Sequence, residues 1–431
     1  MSDINLKATV HTLGCRLNQS ESSIMEKSLM QQGYEIVPFK EESNVAIINT
    51  CTVTARADSD CRHVIRNYIK RNPKSFIAVV GCYSQMGYKA LAEIDGVDII
   101  MGNQDKLDIV NYVALGKNEE TLILRDRILK DDFTIEYIGQ SDSKTRANLK
   151  VQDGCDFMCT FCIIPMARGR ARSRDIENLL TEARALASQG FKEIILTGVN
   201  VGTYDNNGHE VIDICNKLNE INGIERIRIS SIEPTTIPVE IFELMNDPQH
   251  KLVPYLHIPL QSGSDKILEL MKRRYRRQEY LDFIKMAEEK VPGICIGTDV
   301  MVGMCGEGDQ EFSETCDFLI NSPVAYFHVF SYSERPGTAS VKMAEKIDPQ
   351  TIKRRSAVLR SISEKKKREY NETYIGKELS VLFESGSEGH WSGYTENYIR
   401  VTVPTEENLE NQILQVRLKE VSADFIMGEL L

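Results

Sequence analysis

Three cysteines packed into one short stretch constrain this chain more than any other feature. They lie in Val151-Gln152-Asp153-Gly154-Cys155-Asp156-Phe157-Met158-Cys159-Thr160-Phe161-Cys162, a Cys-x3-Cys-x2-Cys spacing. Three thiolates fall short of the four ligands a structural zinc ion takes, whereas a tight tripod of them suits a cubane iron-sulfur cluster with one iron left open. An open iron is a place for chemistry. A partial zinc knuckle or a chance cluster is the competing reading.

The rest of the chain has to position that tripod. Its 431 residues are enough for two or three domains, and 42% hydrophobic with 27% charged residues supplies packed cores. No apolar run approaches the ~20 residues of a membrane span. The opening Met1-Ser2-Asp3-Ile4-Asn5 has no signal-peptide pattern, so the cytoplasm is the expected location, without a membrane partner. Eleven cysteines without a dense extracellular-type framework fit a reducing compartment, where clustered thiols bind metal more often than they pair. A balance of 52 basic against 63 acidic residues argues against nucleic-acid binding over the whole surface and leaves room for a local basic track.

The first hundred residues have the rhythm of a parallel α/β sheet. Ala8–Thr12, Val45–Asn49 and Phe76–Val80 read as buried strands, with helical patterns over Ser20–Gln32 and Asp58–Arg71 between them. Each strand is followed within a few residues by a cysteine: Cys15, Cys51 and Cys82. Loops at the carboxyl ends of parallel strands face one crevice, so these three are candidates for a second three-thiolate site. Glycines beside Cys15 and Cys82 would allow close backbone approach. Taken singly, each cysteine also reads as a small buried hydrophobe at a strand end.

Residues 117–144 carry mixed charge without clear periodicity and read as a connector with some strand content. From Thr145 a second α/β series begins. Ala147–Val151, Glu193–Thr197, Ile227–Ser231, Tyr255–Pro259, Ile294–Val300 and Tyr326–Phe330 are its strands, and Ile176–Gln189, Asp265–Lys272 and Gln310–Leu319 its helices. Six βα units suit a partial (β/α)6 barrel whose site lies at the strands' carboxyl ends, with Cys155 following the first strand. After the basic helical pattern Lys353–Asn371 come the alternating strands Glu378–Glu384, Asn397–Val403 and Ile413–Leu418, which predict a small, OB-like β-barrel. The expected units are therefore 1–116, 117–144, 145–371 and 372–431.

Motifs in all three modules resemble the methylthiotransferases, radical S-adenosylmethionine (radical SAM) enzymes that insert a methylthio group into an unactivated C–H bond. The resemblance rests on Thr12-Leu13-Gly14-Cys15-Arg16-Leu17-Asn18-Gln19, Asn49-Thr50-Cys51-Thr52-Val53-Thr54, Gly154-Cys155 to Cys162-Ile163-Ile164-Pro165, Arg168-Gly169-Arg170 and His257-Ile258-Pro259-Leu260-Gln261-Ser262-Gly263-Ser264. It implies one 4Fe-4S cluster on Cys155, Cys159 and Cys162, where SAM is cleaved, and an auxiliary 4Fe-4S cluster on Cys15, Cys51 and Cys82. It also implies two SAM molecules per turnover, an electron donor such as flavodoxin or ferredoxin, and a sulfur source. The last module looks like the RNA-binding TRAM barrel that ends these enzymes. Within the family, Cys15-Arg16-Leu17-Asn18-Gln19-Ser20-Glu21, Met271-Lys272-Arg273-Arg274-Tyr275 and His328-Val329-Phe330-Ser331-Tyr332-Ser333-Glu334-Arg335-Pro336-Gly337-Thr338 resemble the branch acting on N6-threonylcarbamoyladenosine beside the tRNA anticodon. A second branch acts on N6-isopentenyladenosine in tRNA and a third on a ribosomal-protein aspartate. Met166 and Gly303-Met304-Cys305-Gly306-Glu307 depart from the family pattern, and Cys305 stands at a strand end near the expected mouth.

In radical SAM relatives, backbone polar groups after the second barrel strand meet the SAM amino group, which points to Thr197, Gly198 and Asn200. Ser231, Glu233, Gln261 and Asp299, near other strand ends, are further candidates for SAM or substrate; each also reads as an ordinary structural hydrogen-bonding residue. Arg273, Arg274, Tyr275 and Arg276, in the densest basic run of the central module, and Lys366, Lys367 and Arg368 are candidate contacts for the anticodon stem-loop. Either run also reads as a solvated helix end. Trp391 reads as a core residue of the last module. The competitor from another class is a non-catalytic iron-sulfur RNA-binding protein that uses its cluster as a staple.

Overall fold

The computed structural model describes residues 6–114, 116–117, 120–136, 145–422 and 424–431. The opening 1–5 and the connector positions 118–119 and 137–144 lie outside the described residues.

Strands β1 (Lys7–Thr12), β2 (Glu35–Ile36), β3 (Val45–Thr50), β4 (Phe76–Gly81), β5 (Ile99–Met101) and β6 (Leu122–Leu124) form one all-parallel sheet in the order β2-β1-β3-β4-β5-β6. β3 and β4 are buried at every position, as central strands covered on both faces must be, and their sequences are accordingly near-continuous apolar runs. Helices α1 (Arg16–Gln31), α2 (Ala55–Arg71) and α3 (Cys82–Ala92) follow β1, β3 and β4. Thr54 caps α2 by accepting from the Ala57 amide at 3.1 Å, and Asp58 in the first turn complements the helix dipole. β5, β6 and the two-residue β2 were not expected as separate strands. β6 falls within the stretch read as a connector, so the first sheet extends past residue 116.

Strands β7 (Arg146–Lys150), β10 (Glu193–Thr197), β11 (Arg226–Ile229), β12 (Tyr255–His257), β13 (Cys295–Val302) and β14 (Tyr326–Ser331) pair in parallel as two three-stranded sheets. The parallel bridges Ile227–Leu252 and Ser231–His257 join these sheets into one open arc of six strands. A short antiparallel pair, β8 (Gln152–Asp153) and β9 (Arg172–Ser173), closes the base of the cysteine loop. A single large apolar core, including Leu149, Ile194, Leu196, Ile227, Leu256, Ile296 and Val300, lies between the arc and its helices. The basic helix 349–372 then leads to a closed five-stranded barrel, β15 (Glu378–Ser387), β16 (His390–Thr395), β17 (Arg400–Pro404), β18 (Ile413–Val421) and β19 (Ile426–Leu430). Trp391 is partly buried against the core of this barrel, and the Gly386 backbone packs on its ring.

Two polar seams hold the modules together. The first is buried. Glu21 on α1 accepts from Lys150 Nζ at 2.8 Å and from Arg168 Nη1 and Nη2 at 2.9 Å each, and is paired with Lys106. Asp153 accepts from Lys150 at 2.7 Å and from Arg168 at 2.9 Å. Burial alone would raise the Glu21 carboxyl, but Arg168, Lys106 and Lys150 hold it well below the ordinary range. The second seam docks the C-terminal barrel: Arg226 donates to the Tyr394 and Ser380 carbonyls at 2.9 Å, Arg228 donates to the Glu396 carbonyl at 2.8 Å, and Arg146 pairs with Glu384.

Candidate active site

The sheet order makes β1, β3 and β4 direct neighbours, so the loops after them open on one edge. Cys15 sits just before α1, Cys51 immediately after β3, and Cys82 is the first residue of α3. Gly14 has φ +109° and a Cβ there would lie 2.8 Å from Cys51 Cβ, so glycine is what lets the first two loops touch. Asn103 Nδ2 lies 3.5 Å from Cys82 Sγ. The second triplet is local. Gly154 turns the chain at φ +70° against the Arg170 carbonyl, the Phe157 amide donates to Cys155 Sγ at 3.4 Å, and Arg273 Nη1 donates to Cys159 Sγ at 3.3 Å. The Thr160 amide and hydroxyl tie the loop to the Met271 and Leu270 carbonyls at 3.1 and 2.8 Å.

Among the described residues, only His257, Asp299 and His328 bring three metal-ligating atoms all within 4.8 Å of one another. Neither cysteine triplet does. Each triplet offers three thiolates, one short of the four ligands of a structural zinc and the number that suits a cubane cluster with one open iron. Burial pushes the Cys51 and Cys155 thiols up to about 11 and the Cys162 thiol up to about 12. Such thiols stay protonated at neutral pH unless a metal displaces the proton. Charge points the same way at the first triplet: Lys106, Lys150 and Arg168 are three buried cations facing two buried carboxylates, Glu21 and Asp153, and Arg168 feels Cys82 electrostatically. The surplus positive charge is what an anionic thiolate-ligated group would balance.

A cavity of about 980 Å³ lies between the three modules. The first sheet contributes Cys15 and Arg16, the arc Thr197, Gly198, Ser231, Glu233, Gln261 and Asp299, and the C-terminal part Lys367, Tyr394 and Tyr398. Six of the seven residues expected to meet SAM or substrate therefore face one space. The seventh does not. Asn200 is 1% exposed, and its Oδ1 accepts from the Glu233 amide and the Thr236 hydroxyl at 3.1 Å each. It shapes the loop that carries Glu233, and its buried Nδ2 has no hydrogen-bond partner among the described residues. Glu233 stands between the cavity and the Cys159 side, paired with Arg273; burial raises its carboxyl and Arg273 opposes the rise. His257 Nε2 lies 3.0 Å from Asp299. Burial lowers the neighbouring His328, with His257 acting in the same direction.

The basic run at 272–277 is split by the fold. Lys272 takes φ +58°, which turns Arg273 and Tyr275 inward. The Arg273 side chain is only 4% exposed, and the Tyr275 hydroxyl donates to the Pro259 and Leu260 carbonyls at 2.7 and 2.9 Å. Both side chains lie buried behind the cysteine loop, where they support the Cys159 wall. Arg274 is exposed over Phe157, and Arg276 is exposed but paired with Glu269 at 3.0 Å. In the helix 349–372, Lys366 is drawn onto the Ser322 carbonyl at 2.8 Å, Lys367 faces the cavity and Arg368 is exposed. Cys305 is 2% exposed and does not line the cavity. Met166 packs under Gly337.

Residues 149–319 match the radical SAM superfamily, and residues 7–102 match Uncharacterized protein family UPF0004. The threonylcarbamoyladenosine tRNA methylthiotransferase MtaB of Aquifex aeolicus is 37% identical over 384 residues, covering 88% of this chain and 92% of the relative. The chain belongs to the radical SAM methylthiotransferase family. The tRNA-2-methylthio-N(6)-dimethylallyladenosine synthase of Thermotoga petrophila is 31% identical over 432 residues, covering 98% of this chain and 96% of that one. Among solved structures, the radical S-adenosylmethionine methyltransferase TsrM of Kitasatospora setae shares the fold, with TM-score 0.54 and 14% identity over 76% of this chain and 75% of that one. A radical SAM enzyme works with SAM and a 4Fe-4S cluster, and the arc of β7 and β10 to β14 is that domain here. No helix among the described residues is long and apolar enough to cross a membrane.

The site holds residues that were not singled out as site residues from sequence: Glu21, Lys106, Lys150, Asp153 and Arg168 in the buried seam, and Arg16, His257, His328 and Tyr398 at the cavity. Arg16, Glu21, Asp153, Arg168, His257 and His328 lie inside the quoted motifs, which is the available signal. Tyr394 and Tyr398, on the C-terminal strands, read from sequence as core residues or as an RNA-facing surface.

Proposed function

We propose that this enzyme methylthiolates C2 of N6-threonylcarbamoyladenosine beside the anticodon of tRNA, using two 4Fe-4S clusters. The observation that carries the reading is the shared cavity: Cys15 of the first sheet faces the same space as Thr197, Gly198, Ser231, Glu233, Gln261 and Asp299 of the arc. Sulfur delivery and hydrogen removal must meet at one carbon, and a single cavity between the modules supplies the proximity.

Cys155, Cys159 and Cys162 would hold the first cluster, and Cys15, Cys51 and Cys82 the second. When bound, cluster and SAM supply a 5′-deoxyadenosyl radical able to take the C2 hydrogen, and a second SAM supplies the methyl group. Within this chain, Arg273 donates to Cys159 Sγ and so orients that side chain, while its pairing with Glu233 sets the wall against which SAM would lie. Gln261, at φ +71°, is fixed by its amide bond to the Asp299 carbonyl at 2.8 Å, which presents both side chains to the cavity. The exposed Arg274, Arg276 and Arg368 and the half-buried Lys367, with the TRAM-like barrel, would receive the anticodon stem-loop; Lys366 donates to the Ile320 and Ser322 carbonyls and would support them. A flavodoxin- or ferredoxin-type donor, a sulfur source and a cytoplasmic setting complete the proposal. We place the first module's boundary after β6, with the later boundaries at 145 and 372.

Nucleoside analysis of tRNA from cells lacking the gene tests the substrate. The expected result is loss of the methylthio mark from threonylcarbamoyladenosine. Loss from isopentenyladenosine alone would overturn it and favour the activity named for the Thermotoga petrophila relative.

A further inference from the structure

The cavity contains a guanidinium that the fold orients and leaves without a counter-charge. Arg16 follows Cys15 directly at the start of α1 and lines the cavity. Its Nη2 donates to the Tyr398 hydroxyl at 2.6 Å, and its guanidinium carbon lies 5.9 Å from that ring's centroid. No carboxylate oxygen lies within 4.0 Å of it among the described residues.

The other cations on the same walls are committed or peripheral. Arg228 is bidentate to Glu193 at 2.7 and 3.1 Å and also donates to the Glu396 carbonyl. Arg168 is taken up by Glu21, Asp153 and Asn18. Lys367 sits 4.0 Å from Asp424 with its side chain 44% exposed, and Arg400 is exposed at the rim. Tyr398, in contrast, is held rigidly. It sits at φ +64°, a conformation non-glycine residues adopt rarely and mostly at functional positions. Its ring stacks on Tyr394 at 4.9 Å and meets Tyr255 at 4.7 Å, with Arg228 5.0 Å away. Its neutral hydroxyl fixes one edge of Arg16 without satisfying the charge.

We infer that Arg16, oriented by Tyr398, binds the carboxylate of the threonylcarbamoyl group on the substrate base; this rests on the substrate proposed above. The ureido N–H of such a group can close a six-membered hydrogen-bonded ring onto N1 of adenine. That folds the amino-acid end along the edge of the base that carries C2. A carboxylate so placed has to be read close to where the sulfur is delivered, and Arg16 is covalently next to Cys15. A planar guanidinium with free N–H groups takes a carboxylate in two-point contact. A hydrocarbon substituent would leave Arg16 desolvated and unpaired, so the same residue would select against isopentenyl bases.

The test uses anaerobically reconstituted full-length enzyme and anticodon stem-loops carrying the threonylcarbamoyl acid, its carboxamide, or isopentenyladenosine. Both Kd, by fluorescence anisotropy, and methylthiolation kcat/KM are measured, with iron content as a control on the Cys15 loop. For the native enzyme we expect the acid to be preferred over the carboxamide by roughly 10- to 100-fold, as for one hydrogen-bonded charge pair. In Arg16→Gln that ratio collapses toward one, and Arg16→Lys retains part of it. Tyr398→Phe, which leaves the cysteine loop untouched, lowers the ratio too and carries the test if Arg16→Gln loses iron. An unchanged acid-to-amide ratio in Arg16→Gln, or in Tyr398→Phe where Arg16→Gln loses iron, overturns the inference while leaving the substrate in place. Turnover of the isopentenyl stem-loop with none of the threonylcarbamoyl one overturns the substrate itself.

Discussion

The two cysteine triplets are built by opposite means. Cys155, Cys159 and Cys162 share one loop whose geometry is set within a few residues, by the turn at Gly154 and the amide of Phe157, with Arg273 and Met271 steadying it from outside. Cys15, Cys51 and Cys82 come from three loops, and nothing local relates them; the parallel sheet does, by setting β1, β3 and β4 side by side. The first tripod therefore depends on one turn, and the second on the whole N-terminal sheet and on the buried seam that presses it against the arc. The division of labour in the proposed reaction follows the same line: the local tripod starts the chemistry and the assembled one completes it.

Breaking the local tripod has the largest expected effect. Replacing Cys155, Cys159 and Cys162 together with alanine should reduce 5′-deoxyadenosine formation to background and remove about half of the iron, read by product chromatography and iron assay. Cutting the seam should come next. Glu21→Gln leaves the buried cations Lys106, Lys150 and Arg168 facing Asp153 alone, a loss on the order of 3–5 kcal/mol, read as a lower anaerobic melting temperature with iron lost from the dispersed site first.

A pair of glycine variants sharpens the comparison at smaller cost. Gly14→Ala puts a Cβ 2.8 Å from that of Cys51 at φ +109°, while Gly154→Ala drives one to 2.0 Å from the Arg170 carbonyl at φ +70°. Each should cost about 1–3 kcal/mol in backbone strain before the clash is counted. Gly14→Ala should impair methylthiolation and spare 5′-deoxyadenosine, whereas Gly154→Ala should impair both.

The smallest effect on iron and turnover should come from a buried pair that touches neither tripod, Glu193 with Arg228. Glu193 is buried, which alone would raise it, but Arg228 brings its carboxyl down to about 2. Its folded-state value lies below the unfolded one of about 4.3, so its stabilisation is complete above that value and is lost as pH falls toward 2. Glu193→Gln should flatten the acid limb of the melting profile between about pH 5 and 2, with iron content at neutral pH unchanged.

How much of this could be read from sequence follows the same contrast. The local tripod is a contiguous spacing and needs no tertiary structure to be seen. The dispersed one was legible because parallel strands put their carboxyl ends on one edge, a rule that works from strand rhythm alone. The burial of Arg273 and Tyr275 is not legible in Lys272-Arg273-Arg274-Tyr275, which reads as candidate RNA contacts or a solvated helix end; one residue at positive φ, invisible in composition, turns alternate side chains inward. Glu21 was quoted only as part of a motif, since a buried carboxylate on an otherwise polar helix declares itself through partners far off in the chain, Lys106, Lys150 and Arg168. β16 and β19 escaped notice because each carries an internal glycine that usually signals a turn. Gly393 lies against the Leu382 carbonyl and Gly428 against Val416, close approaches that bar a side chain.

The most direct measurement is made on the variant in which Cys15, Cys51 and Cys82 are all alanine, reconstituted anaerobically with iron and sulfide and given SAM and a reductant. The account predicts about four irons in place of about eight, continued formation of 5′-deoxyadenosine, and no methylthiolated nucleoside. Full iron content with intact methylthiolation in that variant would contradict it.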